Sequence, residues 1–265
     1  MQYLKYFMFT WKFILGRYMV RILFFNCPID VCSMAETVEM VREGIFSGRF
    51  IQHAVVNVAK LVNMQFDNQL YMSVSSCDVV NIDGMGVVLG ARFLGYDVKE
   101  RVAGIDLFYE LVAMSARDEL PIYLLGATEE VVTIAADRLQ TLYPRLKIAG
   151  YHHGYFWDDE TVMVEKIRFS GAKLLFVAIT SPKKENFINR WRDQLGVNFV
   201  MGVGGTFDVV AGKVKRAPLW MQRCGLEWFY RIIQEPRRMW KRYLVTNSKF
   251  LGMLIKEKFK QILSR

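Results

Sequence analysis

The sequence predicts an α/β protein: a three-layer, mostly parallel sheet followed by a helical, basic C-terminal appendage. Three observations predict it. Short apolar runs without polar alternation recur through the middle of the chain, as expected of strands buried on both faces. Stretches with helical spacing alternate with them, which is the pattern of strand–helix–strand crossovers. The charge is also divided. Residues 210–265 hold 14 Lys+Arg against 3 Asp+Glu, residues 1–25 hold four basic residues and no acid, and the 184 residues between hold 17 against 23. A mildly acidic body is carried between two basic ends. The expected segments are 1–25, a core over 26–218, and an appendage over 219–265 that is separable from a self-sufficient core.

The elements follow in order. Tyr3–Phe25 interleaves aromatics with Lys5, Lys12, Arg17 and Arg21. No unbroken apolar stretch follows its first charges, so it is not a secretion signal. Wound as a helix at ~100° per residue, its charges fall within about half the circumference. That predicts an interfacial helix on a bilayer, or a helix packed on the body with its basic face in water. Ala54–Asn57 and Val79–Ile82 read as short buried strands, and Gly84–Leu94 and Asp106–Arg117 as helices. Pro121–Leu125 is a strand, and Glu129–Leu142 a helix that stops before Pro144. Lys147–Gly150 (strand), Thr161–Ser170 (helix), Leu174–Ile179 (strand), Lys183–Gln194 (helix) and Asn198–Val203 (strand) continue the alternation. In the appendage Pro236 divides an aromatic, Arg-rich stretch into two helices meeting near Glu235–Pro236, and Phe250–Leu263 repeats the mixture.

Composition narrows the function classes. The longest uncharged run, Gln194–Phe207, has 14 residues, too short and too Gly-rich for a transmembrane helix. Four cysteines, none in a CxxC pair, exclude a disulfide scaffold and a structural zinc site. Basic ends attract polyanions. Large aliphatics and Trp at this density favour a membrane surface over a nucleic-acid backbone. The expectation is therefore a lipid surface and no nucleic acid.

In a parallel sheet, ligands sit at the carboxyl ends of the strands, and the chemically interesting residues cluster there. Asn57 and Asp83 each follow a strand. So do His152-His153-Gly154-Tyr155-Phe156, Ser181-Pro182-Lys183-Lys184-Glu185 and Gly202-Val203-Gly204-Gly205-Thr206-Phe207-Asp208. Asp83 is a candidate general base or merely a helix N-cap. Gly84 and Gly86, on either side of Met85, would let a substrate approach closely. Gly202–Gly205 is either a phosphate cradle or a tight turn; it fits neither the P-loop nor the dinucleotide fingerprint. His152-His153 lacks further ligands at metal spacing, and no Asp-x-Asp triplet is present to hold Mg²⁺ or Mn²⁺ on a sugar diphosphate. No metal and no cofactor are expected.

The ordered series Asp83-Gly84-x-Gly86, Arg101-Val102-Ala103-Gly104-x-Asp106, Gly154-Tyr155-Phe156, Ser181-Pro182-Lys183-x-Glu185, Gly202–Asp208, Gly212–Pro218, Gly225–Arg231 and Glu235–Arg238 resembles the WecG/TagA/CpsF glycosyltransferases, glycosyltransferase family twenty-six. The resemblance covers roughly residues 26–250 and implies a Rossmann-like core whose C-terminal appendage contacts the membrane and completes the site. It implies inverting transfer from a UDP-sugar to a polyprenyl-diphosphate-linked saccharide at the cytoplasmic face of a bacterial membrane, by a peripheral enzyme. It makes Asp83 the base. It puts Arg101, Arg231 and Arg238 near diphosphates, and Gly154, Tyr155, Gly204, Gly205 and Asp208 in substrate-binding loops. Asn57 is retained in the catalytic set, while Val55 stands where the family often has Thr. Lys184 replaces a Gln of the family near the sugar, where a cation would favour an acidic donor sugar or tighten diphosphate binding. A homo-oligomer is compatible with the sequence. The rival readings are a non-catalytic nucleotide- or lipid-binding protein of the same fold and a nucleic-acid-binding protein using the basic ends.

Overall fold

The structure is a computed structural model. It describes the backbone of residues 9–14 and 17–264, and the side chains from residue 20 to 264 except that of Arg238. Three antiparallel strands come first: β1 (Phe9–Ile14), β2 (Arg17–Phe24) and β3 (Cys27–Val31). Helix α1 (Met34–Phe46) leads to β4 (Ile51–Val56). Helices α2 (Val58–Met64) and α3 (Asn68–Ser75) lead to β5 (Val79–Ile82), and α4 (Met85–Phe93) and α5 (Gly104–Arg117) to β6 (Ile122–Gly126). Then come α6 (Glu129–Leu142), β7 (Ile148–His152), α7 (Glu160–Phe169), β8 (Leu174–Ala178), α8 (Lys183–Trp191) and β9 (Phe199–Gly202). The chain closes with α9 (Thr206–Val210), α10 (Leu219–Arg223), α11 (Glu227–Gln234) and α12 (Pro236–Leu263).

Strands β4 to β9 form one six-stranded sheet in the order β5-β4-β9-β8-β6-β7, with every pairing parallel. The expected α/β, Rossmann-like arrangement is therefore present. Strands β4, β5, β6, β8 and β9 are buried along their whole length. Their apolar side chains feed two faces, which is why the sequence shows runs rather than alternation. On one face Phe108 of α5 meets Phe176 and Phe207, and Phe176 meets Phe199. On the other, Val56, Val80 and Ile82 pack with Leu61 of α2 and Val87 and Val88 of α4, while Phe187 of α8 packs with Leu175 and Val177. Helices α1, α2 and α3 were not expected. Their starts are capped by Ser33 with Glu36, by Asn57 and by Asp67.

The helix expected over Tyr3–Phe25 is not what forms from Phe9 onward. Strands β1 and β2 pair in register from Phe9↔Ile22 to Ile14↔Arg17. The segment is rich in aromatic and β-branched residues, which fit a pleated surface better than a helix. The β2–β3 hairpin turns through Phe25 and Asn26, both with positive φ (49° and 62°), as a two-residue loop matched to strand twist requires. Arg21, counted above as part of a membrane-seeking face, instead pairs with both oxygens of Asp30 at 2.7 and 2.6 Å and donates to Asp78 O at 2.8 Å. Asp30 in turn accepts the Val80 N–H, fastening the hairpin to β5. The membrane reading of the first 19 side chains lies outside the described residues.

The two expected appendage helices meet at Glu235–Pro236 as α11 and α12. The appendage shares packing with the core, however. Phe250 and Leu254 of α12 belong to the same core cluster as Ile22, Phe24, Val56 and Val80. The Phe250 ring lies 6.3 Å from Phe24 and 5.9 Å from Phe25, and a Cβ on Gly90 of α4 would come within 2.8 Å of it. Removing Leu219–Arg265 would uncover this core, so an intact truncated body is no longer expected. Phe250→Ala is expected to lower the unfolding free energy by about 3 kcal/mol, read as a shift of the urea midpoint. A loss below about 1 kcal/mol would show that α12 does not share the core.

Candidate active site

Parallel pairing puts Asn57 and Asp83 side by side, because Val56 of β4 is in register with Ile82 of β5. The Asp83 N–H donates to Val56 O at 2.9 Å. The following segment returns to the same strand end, with the Val102 N–H on Ile82 O at 2.9 Å. That brings Gly104, the first residue of α5, to Asp83: its N–H donates to Oδ1 at 3.1 Å. A helix N-terminus favours a carboxylate, so one oxygen is anchored and aimed. Oδ2 accepts no hydrogen bond from a described residue. Asp83 is thus not the N-cap of the helix it precedes; Gly84 is, and makes no side-chain cap. Asn57 caps α2, its Oδ1 accepting from the Lys60 N–H at 3.0 Å.

The two glycines after Asp83 have a packing cause. A Cβ on Gly84 would lie 3.2 Å from Asn57 Cβ, and one on Gly86 2.9 Å from Val58 Cγ2. They let α4 start against α2 rather than admit a substrate. Gly204 differs: φ is +56° and nothing lies within 4 Å of where its Cβ would be. At Gly205 the nearest atom to such a Cβ is Asp208 Oδ2 at 3.8 Å. This turn is bordered by open space. Gly154 lies against Gly126 and Ile179, and Tyr155 beside it is 71% exposed. The loops after β6, β7 and β8 therefore touch one another, with the turn after β9 beside them on the same edge.

Arg101 is 13% exposed and its Nη2 pairs with Glu227 Oε2 of α11 at 2.7 Å. Glu227 Oε1 also accepts from Arg216 Nε at 3.4 Å, and Arg216 grips both oxygens of Asp106 in the first turn of α5, Nη2 to Oδ2 at 2.8 Å. Gly225 (φ +72°) packs on Met85, where a Cβ would fall 2.6 Å from Met85 Cγ. The C-terminal helices thus close against the Asp83 end of the edge. Asp106, Arg216 and Glu227 fall within the family motifs, but nothing in the sequence assigns them a role. Arg231 is exposed with no ion pair among the described residues. The Arg238 side chain lies outside them.

Lys184 is not turned to the open edge. It crosses Gly202, where a Cβ would meet its Cε at 2.7 Å, and its Nζ lies 2.9 Å from Glu185 Oε1. Lys60 reaches the same oxygen at 2.7 Å and donates to Val55 O. Burial pushes the Lys184 ammonium below the usual lysine range. Burial alone would raise Glu185, but Lys60 and Lys184 hold it well below the usual carboxylate range. Neighbouring His53 donates from Nε2 to Asn81 Oδ1 at 2.7 Å, and burial pushes it down to about 4. Among the described residues no three His, Cys, Asp or Glu converge as a metal ion would need.

His53 yields a pH prediction. Its folded pKa is depressed, so its contribution to stability is complete above about 6.5 and is lost as pH falls towards 4; Glu185 adds in the same direction below the ordinary carboxylate range. About 2 kcal/mol of the stability present at pH 7 is expected to be gone by pH 4.5 on account of His53. Denaturant unfolding at both pH values should show a smaller difference in His53→Gln. An equal difference in both proteins would remove His53 as the cause.

With this geometry in view, likeness to known proteins is informative. The sequence profile of the Glycosyl transferase WecG/TagA/CpsF family matches residues 22–263. An N-acetylglucosaminyldiphosphoundecaprenol N-acetyl-beta-D-mannosaminyltransferase of Bacillus subtilis (strain 168) is 38% identical over 195 residues, 74% of this chain and 75% of the relative. A protein of the same name from Bacillus spizizenii is 37% identical over 170 residues, 64% of this chain and 65% of the relative. The profile spans β2 to α12 and so takes in the sheet, the Asp83 edge and the helices that close on it: this chain belongs to the WecG/TagA/CpsF family of glycosyltransferases.

Proposed function

We propose that this glycosyltransferase moves a sugar from a UDP-sugar to a polyprenyl-diphosphate-linked saccharide, with inversion, in the synthesis of a bacterial cell-surface polymer. The relatives' names support an N-acetylhexosamine donor and an N-acetylglucosaminyl diphospholipid acceptor. The observation that carries the reading is the Asp83 carboxylate, with Oδ1 fixed by the Gly104 N–H and Oδ2 without a donor among the described residues. Oδ2 takes the proton of the acceptor hydroxyl as its oxygen attacks the anomeric carbon. The bond to the diphosphate breaks on the opposite face, which inverts the centre, and UDP leaves with the bonding pair. Charge developing on the diphosphate needs fixed donors or cations. Arg101 and Arg231 supply cations from the core and from α11, with Arg238 offered from α12. The open turn at Gly204–Gly205 with Asp208, and the Gly154–Tyr155 loop, hold the nucleotide.

The acceptor's lipid brings the enzyme to the cytoplasmic face of the membrane. No described helix is long and apolar enough to cross it. Trp220, Trp228, Ile233, Trp240, Leu251 and Phe259 are exposed on α10–α12 among basic residues, a pairing that suits an anionic bilayer surface. The enzyme is expected to sediment with anionic vesicles, and less so as salt rises. Tighter binding to DNA or RNA than to vesicles would refute the membrane assignment.

UDP release tests the chemistry. UDP-N-acetylmannosamine with a short-chain polyprenyl-diphosphate N-acetylglucosamine is expected to release UDP only when both are present, and to do so in EDTA. Asp83→Asn is expected to lose on the order of 10²–10⁴ in turnover while still binding UDP. Near-wild-type turnover in that variant would remove Asp83 as the base.

A further inference from the structure

The ion pairs of the C-terminal helices end on the same helical turn that aims Asp83. Gly104 N–H holds Asp83 Oδ1, and two residues on, Asp106 is held by Arg216. Arg216 shares Glu227 with Arg101. The charges alternate along Arg101, Glu227, Arg216 and Asp106, so removing Glu227 leaves two neighbouring cations without a shared anion. A partly buried cation stripped of its partner is costly and moves to find another. Glu227 has a blander explanation as an acidic residue at the start of α11, where the helix terminus favours it. That explanation leaves unaccounted why both its oxygens face arginines from other parts of the chain, one of them 126 positions earlier.

We propose that Glu227 is a positioning residue: it fixes the Arg101 guanidinium and couples closure of the C-terminal helices to the aim of Asp83. The inference rests on the transferase reading for its catalytic consequence but not for its structural one. With Glu227 in place, Arg101 is held at the edge before substrate arrives, and α11 is latched to the first turn of α5. Without its charge Arg101 is free to swing and the latch is broken at its middle.

The test is a double-mutant cycle on the full-length enzyme. Glu227→Gln keeps the shape and removes the charge. It is expected to lower kcat on the order of 10- to 100-fold, with the KM for the UDP-sugar changed less than about 3-fold. In an Arg101→Ala background the same change should cost less than about 2-fold, because the two act as a unit. Equal losses in both backgrounds would make Glu227 a structural residue only, and no loss in the wild-type background would overturn the proposal outright. If Glu227→Gln does not fold, Glu227→Ala, which also removes the charge, takes its place in the cycle. Hydrogen exchange without substrate gives an arm that needs no activity. Glu227→Gln should speed exchange in residues 219–234 and in the first turn of α5, and unchanged exchange there would refute the coupling. If wild-type enzyme released no UDP with any donor, the transferase reading would fail while this arm still decided the latch.

Discussion

The polarity of the parallel sheet governs the rest of the molecule. Six strands running the same way send every strand-to-helix loop to one edge, and helices must cover both faces before the next strand can start. The core is thus split between two layers of helices, and polar residues that would be costly inside are collected at the carboxyl edge. Asn57 and Asp83 are neighbours for that reason alone: they are the next residues after a register pair, Val56 and Ile82. The loop carrying Arg101 reaches them because its backbone extends the pairing of β5 by one more bond, Val102 N–H to Ile82 O.

Much of this was legible in the sequence, and the failures have physical causes. Val79–Ile82 and Glu129–Leu142 are legible to the residue because a short period-free run and an amphipathic stretch with acids in its first turn carry their own signals. Helix α1 was missed although Ser33 and Glu36 spell a capping box. The N-terminal segment was misread because charges spaced four to seven apart satisfy a helical arc, whereas strand pairing depends on a partner that composition does not name. At the site, Asp83, Asn57 and Arg101 follow from the strand-end rule and the family motifs. The Asp106–Arg216 and Arg101–Glu227 pairs do not, since contacts between residues more than a hundred positions apart leave no local pattern.

Glycine and lysine in these motifs illustrate why a motif position is not yet a role. Gly84, Gly86 and Gly225 are small because Asn57, Val58 and Met85 press on them, while Gly204 has a positive φ and empty surroundings. Only the latter kind leaves room for a ligand. The family resemblance leads one to expect Lys184 near the sugar, yet it lies inward, sharing Glu185 with Lys60. Two buried ammonium groups on one carboxylate satisfy neither fully, and a cation already committed below the edge contributes less to a sugar than one facing it. The effect on donor choice expected of a cation at this position is therefore not supported by its placement.

The arginines of the C-terminal third divide between two tasks that the net charge conceals. Arg216 is spent on Asp106 and Glu227, and Arg101 is held by the same Glu227, so these cations are fixed in place where the appendage meets the core. Arg231 stands on the exposed side of α11, one turn from Trp228 and beside Ile232 and Ile233. Paired cations fix geometry and add little field at a distance; unpaired ones among exposed aromatics supply attraction to anions and to a bilayer surface. Docking and long-range attraction can then vary independently. A substitution at Glu227 disturbs the first and barely alters the surface proposed to meet a membrane, whereas loss of exposed basic residues on α12 weakens the second and leaves the Asp83 edge as it was.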